Sequence, residues 1–170
     1  METLQTIMER RSIRQYQPEP IPAEALKAIL EAARQAPTAA NRQPVHFVIV
    51  GDAEQKRRVA AACNNQMWMA DAAYIVVAAG LPTVSAKWYK VDVAISLQNL
   101  VLAAYSLGYG TCWIGAFDPE KVREVCGLSE EMEVVACTPL GVPNASPVAR
   151  QRKEWAHLFS ANRYGEPLKL

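Results

Sequence analysis

The sequence predicts a domain that mixes helices and strands around one core. Three observations carry this. The chain has 170 residues with 51% hydrophobic content, enough for one substantial core and about one domain. Ala25, Leu26, Ile29, Leu30 and Ala33 form an apolar stripe at helical spacing. The apolar runs 45–50, interrupted by His46, and 74–79 have the length of buried strands.

The elements follow in order. Thr3 to Glu9 is a short amphipathic segment leading into Arg10, Arg11, Ser12, Ile13 and Arg14, after which Pro18, Pro20 and Pro22 break regular structure. Pro22 suits a first helical position, and the stripe behind it predicts a helix ending near Pro37. A polar loop, 36–44, then separates that helix from strand 45–50. Asp52 suits the N-cap of a helix through Ala62, and 63–71 has no clear pattern before strand 74–79. Residues 92–107 are apolar on nearly every face, which fits a helix enclosed by its own sheet and a partner subunit, and Gly108 ends it. Then come a short strand 111–114, a short helix 119–126 closed by Gly127, and a strand 132–137. Beyond Gly141, Val142 and Pro143 the chain turns polar and basic without periodicity. No repeat or linker divides residues 1–170, so a single domain is expected.

Composition narrows the function. With 18 basic and 17 acidic side chains, no summed field draws a nucleic acid or an anionic membrane. The longest apolar stretch, 91–107, carries Asp92, Ser96, Gln98 and Asn99 and is shorter than the roughly 20 apolar residues of a membrane span. Four cysteines, Cys63, Cys112, Cys126 and Cys137, contain no CxxC pair, so no zinc or iron–sulfur site is signalled and reduced, partly buried thiols are expected. No secretory pattern opens the chain, and a cytoplasmic location is the expectation. His46 and His157 lack a partner constellation and read as structural.

Three arginines and a serine within residues 10–14 form a dense donor group, suited to a phosphate and an electron-rich carbonyl edge, although composition alone favours an exposed basic turn. The sequence has no GxxxxGKS/T, and the Gly108-Tyr109-Gly110 stretch lacks the third glycine of GxGxxG and follows a helix. A phosphate would therefore be held by scattered side chains and backbone.

Taken together, segments 10–14, 37–43, 92–115 and 141–152, in this order and at these separations, resemble the FMN-dependent nitroreductase family in its short form. The resemblance implies an α+β fold, with a mixed, largely antiparallel sheet flanked by helices, in an intertwined homodimer whose tail from about 142 to 170 extends toward the partner. It implies that Arg10, Arg11, Ser12 and Arg14 hold the flavin phosphate, ribityl chain and pyrimidine edge, with Arg14 tuning N1 and O2. The loop with Pro37, Thr38, Asn41 and Gln43 is similar to the one that reaches FMN held mainly by the other subunit. Trp113, Ile114 and Gly115 fall beside the isoalloxazine ring, and Arg150 and Arg152 complete the phosphate site. Asn65 matches a pyrimidine-edge asparagine, while Trp68 stands where larger members carry lysine.

The implied activity is a ping-pong cycle in which NADH or NADPH reduces FMN and a nitroaromatic, quinone or enone reoxidises it. No metal and no protein base is required, since the chemistry is carried at flavin N5. Specificity is assigned to the variable segment around Val84 to Lys90. Other reactions on the same fold, namely dehalogenation, azoline oxidation or flavin breakdown, stay open, as does a non-enzymatic FMN-binding dimer.

Overall fold

The computed structural model describes residues 2–169. Strand β1 (Tyr16–Gln17) separates helices α1 (Thr3–Glu9) and α2 (Ala23–Arg34); β2 (Val45–Val50), α3 (Ala53–Ala62) and β3 (Tyr74–Gly80) follow. Then come the short α4 (Pro82–Ser85), the long α5 (Tyr89–Ser106), β4 (Gly110–Thr111), α6 (Pro119–Val125) and β5 (Glu133–Pro143). The sheet order is β1-β5-β3-β2, with β4 also on β5. Every pairing of named strands is antiparallel, and among the described residues the one parallel pair is the isolated bridge from Ser12 to Thr111.

Strand β3 explains why its sequence is an unbroken apolar run: both faces are covered. Ile75 and Val77 point into a cluster with Val59, Cys63, Met69 and Val122 beneath α3 and α6. Val76 and Ala78 point the other way, toward Ile29, Val93, Leu97 and Leu100 of α2 and α5. As expected, Asp52 caps α3, its Oδ1 accepting from Gln55 N–H at 2.8 Å. Asp52→Ala is expected to cost about 1 kcal/mol, measured as a lower urea midpoint with an unchanged slope.

Three expectations are corrected. Helix α5 starts at Tyr89 rather than Asp92, with the Tyr89 hydroxyl donating to Glu133 Oε2 at 2.5 Å. The strand expected to end at Cys137 runs on to Pro143 through Pro139, and the strand expected over 111–114 stops at Thr111. The last two have one cause. Pro139 has no N–H for the β4 side, and there the ladder is interrupted: Cys112 N–H donates to Thr138 Oγ1 at 3.1 Å, and Ile114 rejoins β5 only at Cys137. The unpatterned stretch 63–71 leaves α3 through left-handed Asn64 and Asn65 and forms a 3-10 turn, Met67–Asp71. All four cysteines are free thiols, and Cys63, Cys112 and Cys137 are buried. Among the described residues no helix is long and apolar enough to cross a membrane.

Candidate functional site

The arginine cluster is held against the sheet by its apolar neighbours. Ile13 N–H donates to Thr111 O at 2.9 Å, and the Ile13 side chain is buried with Tyr16 and Ala72. The Tyr16 hydroxyl donates to Ile13 O at 2.7 Å, and burial pushes its pKa up. A Cβ on Gly110 would stand 2.8 Å from Ile13 Cβ, so only glycine allows this approach. With Ile13 fixed inward, Arg14 is exposed and Arg10, Arg11 and Ser12 are half-buried. Arg11 Nη1 donates to Met8 O and Arg10 O, both at 2.8 Å, closing the C-terminal end of α1.

The tail returns to the same place. Arg10, Arg11 and Ser12 share one cavity of about 360 Å³ with Val148, Arg150 and Arg152. No carboxylate lines it, and among the described residues none of the four arginines forms an ion pair. Cys112 lies close by: burial pushes its thiol up, opposed by the Arg14 charge, a hydrogen bond with Ser12 and the Arg10 charge.

Two further segments run on from this place: Ile114 bridges Cys137, which pairs with Val77, three residues of strand along from the Tyr74–Leu140–Thr111 end. Trp113 lies outside the core, its Nε1 donating to Gln98 Oε1 at 3.2 Å. Ile114 is buried and spends both backbone groups on Cys137, at 2.8 and 3.1 Å, so it anchors the segment rather than offering polar atoms. Gly115 is exposed, and a Cβ there would meet nothing within 4 Å, which leaves its backbone open to a flat group. Gln66 Nε2 donates to Cys63 O at 3.0 Å and Ala116 O at 3.3 Å, tying the exposed Asn65 turn to the end of that segment. Trp68 packs against Ile13, Tyr16 and Ala72, an apolar role no lysine would fill.

The loop 37–43 is not brought to this place within one subunit. It feeds β2, where Val45 pairs with Gly80, whereas Tyr74 at the other end of β3 pairs with Leu140, the partner of Thr111. Six residues of strand separate the two, roughly 20 Å. Pro37, Asn41 and Gln43 are exposed and Thr38 is half-buried. Ala40, Asn41 and Gln43 have left-handed backbone, with φ of 51°, 54° and 52°. Thr38 Oγ1 accepts from Gln43 N–H at 3.1 Å and Asp92 Oδ1 from Ala39 N–H at 3.0 Å.

Sequence reading missed Gln66, Gln98 and the tether made by Asp92. Only Asp92 carried a signal, as a lone acid within an apolar helical run.

Residues 7–81 and 63–142 match the model of the Nitroreductase family. The chain belongs to the nitroreductase family. A protein of Archaeoglobus fulgidus, provisionally named NADH dehydrogenase/NAD(P)H nitroreductase, is 34% identical over 149 residues, covering 84% of this chain and 86% of its own. NADPH-flavin oxidoreductase of Vibrio harveyi is 31% identical over 180 residues, covering 96% of this chain and 75% of its own. Among solved structures, a nitroreductase family protein of Clostridium novyi NT has a TM-score of 0.81 at 32% identity, covering 98% and 96% of the two chains. The Vibrio harveyi NADPH:FMN oxidoreductase, solved with NAD+, has a TM-score of 0.89 at 29% identity, covering 98% and 79%. The nitroreductase match includes segments 10–14, 37–43 and 113–115 and stops before Arg150 and Arg152, which the fold nevertheless delivers to the cavity of Arg10 and Arg11.

Proposed function

We propose that this nitroreductase is an FMN-dependent oxidoreductase that takes electrons from NADH or NADPH and passes them to small acceptors such as nitroaromatics, quinones or enones. The observation that carries the reading is the cavity itself: four arginines from two remote segments, with Ser12 and without a carboxylate, face one space. A phosphate close to a dianion needs several charge-assisted bonds once partly buried, and this donor set answers that need.

The residues present fit FMN. Arg10, Arg11, Ser12, Arg150 and Arg152 would hold its phosphate, and Arg14 would stand at the pyrimidine edge with Asn65. The open face of Gly115 admits a ring, with Trp113 at its border. Bound there, FMN supplies two-electron exchange between the nicotinamide and the acceptor. The protein's own part is to orient, to place positive charge near N1 and O2, and to exclude water. Trp68 supplies packing in place of a cation, so Arg14 carries the charge at that edge.

The functional unit in this reading is a homodimer of one-domain subunits, the tail from about 142 to 170 reaching toward the partner. The position of loop 37–43 supports it, because Asn41 and Gln43 stand six residues of strand, roughly 20 Å, from the phosphate cavity of their own subunit. So does the apolar surface a lone subunit leaves bare: Leu4, Ile7 and Met8 of α1, Val91 and Ile95 of α5, and Trp155, Leu158 and Phe159 of the tail. Four free thiols support a reducing, cytoplasmic location. The test is the visible spectrum of the purified protein with added FMN, before and after anaerobic NADH or NADPH. About one flavin per subunit, bleached by either nucleotide, is expected; absence of bound flavin sinks the assignment, and binding without bleaching favours a carrier.

A further inference from the structure

Asp92 sits in the first turn of α5, in a helix otherwise apolar on nearly every side, and only 2% of its surface is exposed. A buried carboxylate is costly unless its oxygens are satisfied. The helix N-terminus offsets part of that cost. Oδ1 accepts one bond, from Ala39 N–H at 3.0 Å, while among the described residues Oδ2 has no donor. As a stability device this is poor, since a well-packed apolar side chain would serve α5 at least as well. What the carboxylate does supply is a fixed point for one backbone amide, 53 residues away in sequence.

That amide opens the turn Ala39–Asn41, where Ala40 is held at φ 51° and ψ 28° and Asn41 and Gln43 are also left-handed. Such geometry is unfavourable for a residue with a Cβ, alanine above all, and persists only where the surroundings over-determine it. Within the turn Asn41 N–H donates to Thr38 O at 2.9 Å and Arg42 N–H to Ala39 O at 3.2 Å; Gln43 N–H is held on Thr38 Oγ1, and Ala39 N–H on Asp92 is the bond that ties the turn to α5. Between them, Asn41 and Gln43 are exposed, Gln43 Nε2 donating to Asn41 O at 3.2 Å while its Oε1 stays open among the described residues.

We infer that Asp92 is a positioning residue: by holding Ala39 N–H it keeps the strained turn 39–43 in the form that presents Asn41 and Gln43 to a flavin carried by a second copy of the chain. The inference rests on the flavin reading above and adds to it a residue that touches no flavin atom.

The test uses the full-length dimer, with FMN and riboflavin titrated by flavin fluorescence. Asp92→Ala is expected to weaken both flavins by about tenfold or more, the scale of one charge-assisted bond. Both suffer equally because the phosphate cavity is untouched. Asp92→Asn keeps an acceptor for Ala39 N–H and is expected to restore binding to within about threefold of wild type. Ala39→Pro removes the donor instead of the acceptor. Thr38 already has the extended backbone, φ −131° and ψ 154°, that a following proline requires, so this variant keeps α5 intact and is expected to give the same loss.

If Asp92 acts through the turn, Asp92→Ala and Asn41→Ala combined lose little more than the worse of the two alone; a loss equal to their sum overturns the inference. So does a folded Asp92→Ala or Ala39→Pro dimer with wild-type affinity. Amide exchange across 38–43 reads the tether without flavin: about tenfold faster exchange in Asp92→Ala is expected, and unchanged exchange overturns it. A wild-type dimer that takes up no FMN sinks the flavin assignment and the purpose given to the turn, while exchange still decides the tether.

Discussion

Replacing Arg150 and Arg152 together by alanine is expected to weaken FMN binding about 100-fold and leave riboflavin binding within about threefold of wild type. Each arginine offers a charge-assisted bond to the phosphate, worth about 1.5–3 kcal/mol. Both side chains are exposed, so the lower end applies, about 3 kcal/mol for the pair, and 1.4 kcal/mol is a factor of ten. Riboflavin lacks the phosphate and has nothing to lose there. Parallel titrations of the two flavins, at low and at higher salt, measure the effect, and the variant's FMN affinity should also depend less on salt. Equal losses for FMN and riboflavin would mean that the tail arginines hold the fold or the dimer instead of the phosphate. Arg11 is a poorer probe, because it also closes the end of α1 through Met8 O and Arg10 O, and its removal would mix two effects.

Much of this arrangement was legible in the residues, for physical reasons that differ by element. Helix α2 and strands β2 and β3 announce themselves because their apolar periods are local properties of the chain. Strand β1 does not: Tyr16 and Gln17 pair with Pro143 and Val142, 127 and 125 residues on, and two residues have no period. The full length of β5 was hidden by Pro139, which reads as a strand end and is tolerated only because the β4 ladder is interrupted at that point.

The candidate site divides in the same way. Segments 10–14 and 113–115 could be named from the pattern they share with a family. That the tail arginines close on the same cavity depends on the path of the chain after Pro143, which no local signal encodes. Ile114, named with its neighbours, proves to be the buried anchor between exposed Trp113 and exposed Gly115, a distinction that needs the Cys137 bridge to be seen.

Gly141→Ala is expected to destabilise the protein by about 2–3 kcal/mol and lower its Tm by about 5–10 °C. Gly141 pairs with Gly110 where β4 meets β5, and a Cβ there would stand 2.9 Å from Tyr16 Cδ1, 3.1 Å from Ala73 N and 3.2 Å from Ala72 Cα. Two of these neighbours are backbone, and the Tyr16 ring is held by its bond to Ile13 O, so little can give way. Relief by movement of Tyr16 would carry Ile13 and Ser12 with it, and FMN affinity should fall alongside stability. Gly115→Ala separates the two effects. A Cβ at Gly115 meets nothing within 4 Å, so its Tm should stay within about 1 °C of wild type while FMN binding weakens, because the added methyl occupies the open face assigned to the ring. Thermal melts and flavin titrations of both variants decide the matter: tight FMN binding by Gly115→Ala would move the ring away from this face, and an undisturbed melt for Gly141→Ala would mean that the backbone at Ala72 and Ala73 yields more easily than these distances imply.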